Sequence, residues 1–124
     1  MVGLTRVILR LGRNPDAGFP NGDDEYGYVV HAPLDANNKL DAALWREKKE
    51  LCTVRRFHPH EAASDGWLRH RGDNWYFWYD EEDEGPAEPL FKLGAHELRP
   101  GEYLTVREGD GDVLTFQVVE AVRV

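Results

Sequence analysis

Five consecutive aromatic residues, Trp75-Tyr76-Phe77-Trp78-Tyr79, are the densest chemistry-bearing feature of the chain, and Trp67 stands shortly before them. Indole and phenol rings stack on the flat apolar face of a sugar, a nucleobase or a proline, and their N–H or O–H serves the polar rim. On an extended strand successive side chains point to opposite faces, so Trp75, Phe77 and Tyr79 share one face and Tyr76 and Trp78 the other. Two arrangements satisfy such a strand. It can be a central strand buried on both sides, its rings paired with Trp67 across the ladder, or it can leave one aromatic face open as a platform for a small molecule or a protein partner. Trp67, Trp75, Tyr76, Phe77, Trp78 and Tyr79 are therefore the candidate ligand-binding residues.

The second constellation is His58-Pro59-His60-Glu61. Two imidazoles at i and i+2 point to the same side of an extended segment, and imidazole with carboxylate suits a divalent transition metal. His70 and His96, or Glu97, would complete a ligand set, so His58, His60, His70 and His96 are the candidate metal ligands. The His-x-His element is similar to that of cupins, double-stranded β-helix barrels that bind a metal, and the resemblance implies a metal-binding barrel with enzymatic activity as an option. The overlap is about four residues: Glu61 follows His60 directly instead of several residues later, and His96 precedes the Pro100-Gly101 turn instead of following it. No family's motifs cover the chain. The competing readings of these histidines are a solvated loop and a single general base.

Catalytic templates are absent. There is no G-x-x-x-x-G-K phosphate loop, no G-x-S-x-G and no His-Glu-x-x-His, and Ser64 is the sole serine. No catalytic residue is assigned, and the balance leans away from an enzyme. Arg71-Gly72-Asp73 and Glu108-Gly-Asp-Gly-Asp112 both fall between strand-like runs and read as hairpin turns, not as an adhesion tripeptide or a calcium loop. Cys52, the only cysteine, sits in the apolar run Leu51–Val54 and reads as a buried, inert thiol.

Charge narrows the partners. Fifteen Lys and Arg against 23 Asp and Glu leave −8 over 124 residues, which disfavours nucleic acid bound through bulk phosphate attraction. Residues 80–88 carry six of the acids and no base, whereas residues 46–71 are locally basic. The acidic segment is either a solvated connector, a surface that docks on the basic stretch, or a cluster of carboxylates for a divalent cation. No apolar run is long enough for a membrane span or a secretory core, so the expectation is a cytoplasmic protein, monomeric or homodimeric, with an unknown small molecule or protein as partner.

The elements that must position these residues are mainly β. Thr5–Leu11, Glu25–Pro33, Leu51–Phe57, Trp67–Arg71, Trp75–Tyr79, Glu102–Glu108 and Asp112–Val124 read as strands separated by Gly, Pro, Asn and Asp. In the second, Tyr26, Tyr28 and Val30 share one face, with Val29 and His31 on the other; Gly27 marks a bulge or a close backbone approach. Leu40, Ala43 and Leu44 give the one short helix, near 40–48, capped by Asn38 or Asp41. Residues 12–24 form a long Gly- and Pro-containing loop of the kind that carries function. About seven strands predict one antiparallel β domain over 1–124, a small sandwich or partly closed barrel.

Overall fold

Alternation of apolar and polar side chains builds the first strand, Gly3–Leu11 (β1): Val7, Leu9 and Leu11 are buried while Arg10 is exposed. In a computed structural model, which describes residues 3–72, 74–79, 88–90, 97–107 and 113–124, seven further strands follow. They are Asp23–Leu34 (β2), Thr53–Phe57 (β3), Ser64–Arg71 (β4), Asn74–Tyr79 (β5), Glu88–Leu90 (β6), Tyr103–Arg107 (β7) and Val113–Arg123 (β8). Each pairs antiparallel with the next, and β8 returns to β1 through Thr5–Leu11, so the sheet curls into an up-and-down barrel. Among the described residues β6 and β7 are joined by the pair Leu90–Val106. The expected antiparallel β architecture is present, as a barrel and not a sandwich. The addition is β6, three residues in the acidic, proline-containing stretch where no strand was expected.

Aromatic rings fill the interior. Tyr28 packs against Phe77 at 4.8 Å and against Phe116 at 5.1 Å, and Phe116 in turn meets Tyr26 at 5.7 Å. An eight-stranded barrel is just wide enough either to be filled by its side chains or to hold one small ligand. Among the described residues the void between Val7, Leu9, Val30, Leu68, Phe77 and their neighbours is about 10 Å³, no more than one water requires.

The helix Ala42–Lys48 (α1) continues as a 3-10 turn over Lys49–Leu51. Of the two candidate caps, Asp41 does the work, its carboxylate accepting from the N–H groups of Ala43 and Leu44. Leu44 is buried, and the Trp45 indole donates to the Leu68 carbonyl at 2.8 Å, which fixes the helix to β4. Leu51 and Cys52, expected at the start of a strand, instead close the 3-10 turn through Cys52 N–H to the Lys49 carbonyl. The Cys52 carbonyl then accepts from Leu68 N–H, and the ladder begins one residue later.

The 12–24 loop is anchored. The Asn14 side-chain amide donates to the carbonyls of Gly12 and Thr115, and its oxygen accepts from Thr115 N–H, so one residue sutures the loop to β8. Strand registers put this loop at the same end of the barrel as the 58–63 connection and as Tyr79 and Glu88, which flank the acidic segment. Helix α1 and the β4–β5 turn are at the other end. Residues 80–87, the core of the acidic segment, lie outside the described residues, as do Asp73 of the Arg-Gly-Asp turn and residues 108–112 of the last hairpin.

Candidate functional site: the outer wall of β2 to β5

The aromatic strand divides. Trp75 and Phe77 are buried in the barrel, whereas Tyr76 and Trp78 are partly exposed on the outer wall. The strand is thus buried on its inner face and half-buried on its outer one, because a closed barrel has one of each. Tyr79 is described by its backbone pairing with Gly66. On β4, Gly66 and Leu68 take the inward positions, and this parity turns Asp65, Trp67 and Arg69 outward. Trp67 pairs with Trp78 on one side and with Thr53 on the other.

Three side chains form a layered cluster on this wall. The indoles of Trp67 and Trp78 lie 6.1 Å apart with a 36° tilt. The Arg69 guanidinium carbon is 5.1 Å from the Trp78 centroid and 6.0 Å from that of Trp67. A cation over an indole face is favourable by about 0.5–1 kcal/mol at an exposed site, so Arg69 holds both rings in place.

Beside this cluster is a groove of about 360 Å³, lined by Val29, His31, Thr53, Arg55, Asp65 and Trp67, with the backbone of Val54 and Gly66 beneath. Val29 supplies apolar floor and Trp67 a ring. The His31 Nδ1 is 3.1 Å from the Thr53 hydroxyl. Arg55 Nη1 reaches the Asp65 carboxylate at 3.3 and 3.5 Å, with both side chains well exposed. The volume is at the lower end of small-molecule sites. An imidazole bonded to a hydroxyl resembles a base–nucleophile pair, but no carboxylate among the described residues orients His31, and such a pair needs that third group.

Of the sequence-predicted metal ligands among the described residues, His58 and His60 lie together, ring centroids 6.0 Å apart, and His70 lies apart from both. His58 packs its ring 4.5 Å from Tyr26 and accepts at Nδ1 from His60 N–H, which leaves the proton on Nε2, 3.7 Å from Glu61. Arg56 bridges Glu61 and the Tyr26 hydroxyl, each at 3.1 Å. His70 instead stacks on Trp75 at 4.3 Å, near Trp45, at the helix end of the barrel. With Arg56 paired to Ser64, His58 and His70 are separated by about 25 Å along the ladder at 3.3 Å per residue. His96 lies outside the described residues, and no group of three His, Cys, Asp or Glu able to hold a metal occurs among those described.

Two other features are structural. Cys52 is fully buried, donates to the Lys48 carbonyl, and has its thiol pushed up to about 11 by burial, against a smaller opposing effect of Lys48. A thiol so held is a poor nucleophile at neutral pH. A second concavity, about 580 Å³, lies between Arg13–Ala17 and Val113–Leu114, has no aromatic ring among the described residues of its lining, and includes the Asn14 suture.

Of the groove residues, only Trp67 was singled out from the sequence as a contact residue. Val29 and His31 were legible as sharing a face, but Thr53, Arg55 and Asp65 carry no local signal, since strand pairing alone brings them together. No protein-family model matches the chain, and neither a curated protein nor a solved structure does.

Proposed function

We propose that this chain is a small non-enzymatic binding domain that recognises its ligand on the outer wall of the barrel, with Trp67 as the contact ring. One observation carries the reading: the described core residues leave a void of only about 10 Å³, while the outward indole of Trp67, tilted against Trp78, lines a groove of about 360 Å³. Both indoles are half-buried on the outer face, and Arg69 stacking holds them in place. A half-buried ring already held by its neighbours loses little freedom when a ligand stacks on its open part, which is what a recognition surface requires.

The test is a ¹⁵N-correlation titration with three probe classes that can stack on indole: a neutral oligosaccharide, a nucleoside and a proline-rich peptide. At least one class should shift the Trp67 indole N–H together with the amides of Val29 and Thr53, and Trp67→Ala should abolish those shifts while retaining native dispersion. Shifts confined to other surfaces, or none with any class at millimolar concentration, would remove the proposal.

A further inference from the structure

Resting on that reading of the wall, we infer that the groove's ligand is a neutral, polyhydroxylated ring of the sugar type. Its polar residues come as two internally compensated pairs. Arg55 and Asp65 cancel each other's charge across adjacent strands, and His31 and Thr53 share one hydrogen bond. Neither pair is saturated. Arg55 uses one terminal nitrogen at 3.3 and 3.5 Å, long for a charge-assisted bond, which leaves further N–H donors and carboxylate lone pairs facing the solvent side of the groove. His31 Nε2 has no hydrogen-bond partner among the described residues. A carboxylate and a guanidinium are both planar and bidentate, and side by side they match two neighbouring hydroxyls, one donating to Asp65 and one accepting from Arg55. Val29 and Trp67 supply what the C–H face of such a ring packs on.

Charge separates this class from its competitors. An anionic ligand would find Arg55, the Lys or Arg of the groove lining, already paired with Asp65 and would meet that carboxylate beside it. A cationic ligand would meet Arg69, which already occupies the position over the Trp67 and Trp78 faces. A wholly apolar ligand would pack on Val29 and Trp67 but leave the remaining Arg55 donors and Asp65 acceptors without partners wherever it covered them. A neutral ring with hydroxyls on its rim avoids all three penalties. The volume leaves room for one or two such rings, as expected of a shallow site read on one face.

The experiment titrates the intact protein with three probes: a mixture of neutral tetrasaccharides of glucose, N-acetylglucosamine, mannose and xylose; tetragalacturonate; and decaproline. The expected result is that the neutral mixture shifts the Trp67 indole and the Thr53 and Asp65 amides, with an affinity unchanged between 50 and 500 mM salt, a range over which charge attraction would be screened by several-fold, roughly. Trp67→Ala should weaken it by about tenfold or more, the loss of one stacking ring, while Trp67→Phe restores most of it. Asp65→Ala should cost about tenfold through lost hydroxyl acceptors, with native spectral dispersion showing that the fold survives. Stronger binding of tetragalacturonate, falling with salt, would overturn the neutral class. Shifts on the same wall with decaproline alone would overturn the sugar class and leave the docking wall standing. If no probe moves the wall, both readings fall.

Discussion

Replacing Gly27 by alanine should destabilise this protein far more than the same change at Gly18, and the difference can be worked out from the geometry. A Cβ at Gly27 would lie 1.9 Å from the Leu9 carbonyl oxygen and 2.9 Å from both the Leu9 carbonyl carbon and the Phe57 ring. The Leu9 oxygen is main chain, held in a ladder that pairs Leu9 with Tyr28 and Arg10 with Gly27, so no rotamer change relieves the contact. The strands must part by more than an ångström, and the Arg10–Gly27 pair is where they open. Two ladder hydrogen bonds at about 1 kcal/mol each, plus about 1–3 kcal/mol of overpacking strain, give a loss of about 3–5 kcal/mol. Gly18 has φ +90° with no atom within 4 Å of its built Cβ. There alanine meets backbone strain alone, about 1 kcal/mol.

Both substitutions lower the entropy of the unfolded chain alike, so their difference isolates the clash. Urea unfolding followed by tryptophan fluorescence should separate the midpoints, and the melting temperature of Gly27→Ala should fall by about 10–20 °C. The site should respond too. Val29 and His31 lie just downstream on β2, and a displaced strand disturbs the His31–Thr53 bond before it unfolds anything else. If Gly27→Ala is as stable as Gly18→Ala to within about 1 kcal/mol, the backbone approach does not constrain the barrel and the reasoning is wrong.

Asn14→Ala removes two donated hydrogen bonds and strands the Thr115 N–H, for a loss of about 3 kcal/mol and faster amide exchange at Thr115; unchanged exchange would show that the loop needs no suture. Asp41→Ala should cost about 1 kcal/mol in denaturant stability by leaving the first helical N–H groups of α1 uncapped. For Cys52 the folded state holds the proton up to about 11 whereas the open chain releases it near 9.0, so stability is complete below pH 9 and declines as pH rises toward 11. The slope due to this thiol is about 1.4 kcal/mol per pH unit. Urea titrations at pH 8 to 10.5 should show it in the native chain and not in Cys52→Ala; parallel curves would argue against a buried thiol.

Local patterns were legible wherever the cause was local. Asp41 was readable as one of two caps, with Asn38, because its carboxylate stands two residues before Ala43 and three before Leu44. Gly27 stood out as a glycine inside a strand pattern, and the close approach of Leu9 is its reason. The turn at Gly72, with φ +60°, followed from its position between two strand-like runs. β6 escaped notice because three residues, Glu88–Leu90, contain no period to detect, and their strand identity comes from pairing with β5. The 12–24 loop was expected to serve function because of its length; Asn14 and its bonds to Thr115, a hundred residues away in sequence, give it a structural task.

By itself the sequence determined that the chain is antiparallel β with one short helix, which residues alternate along each strand, and that Cys52 belongs inside. These are consequences of side-chain periodicity and turn chemistry, which act over a few residues. Only the tertiary structure decided that the sheet closes, that Trp75 and Phe77 point into it, and that Trp67 and Trp78 point out. It also decided that His58 and His70 stand at opposite ends, and that Val29, His31, Thr53, Arg55 and Asp65 meet at one groove. The physical reason is that period two marks the faces of a strand as different without saying which is inner, and a one-residue change of register exchanges them. Register is set by pairing between distant segments, as in Thr53 opposite Trp67 and Trp67 opposite Trp78, and the candidate site exists only where those pairings intersect.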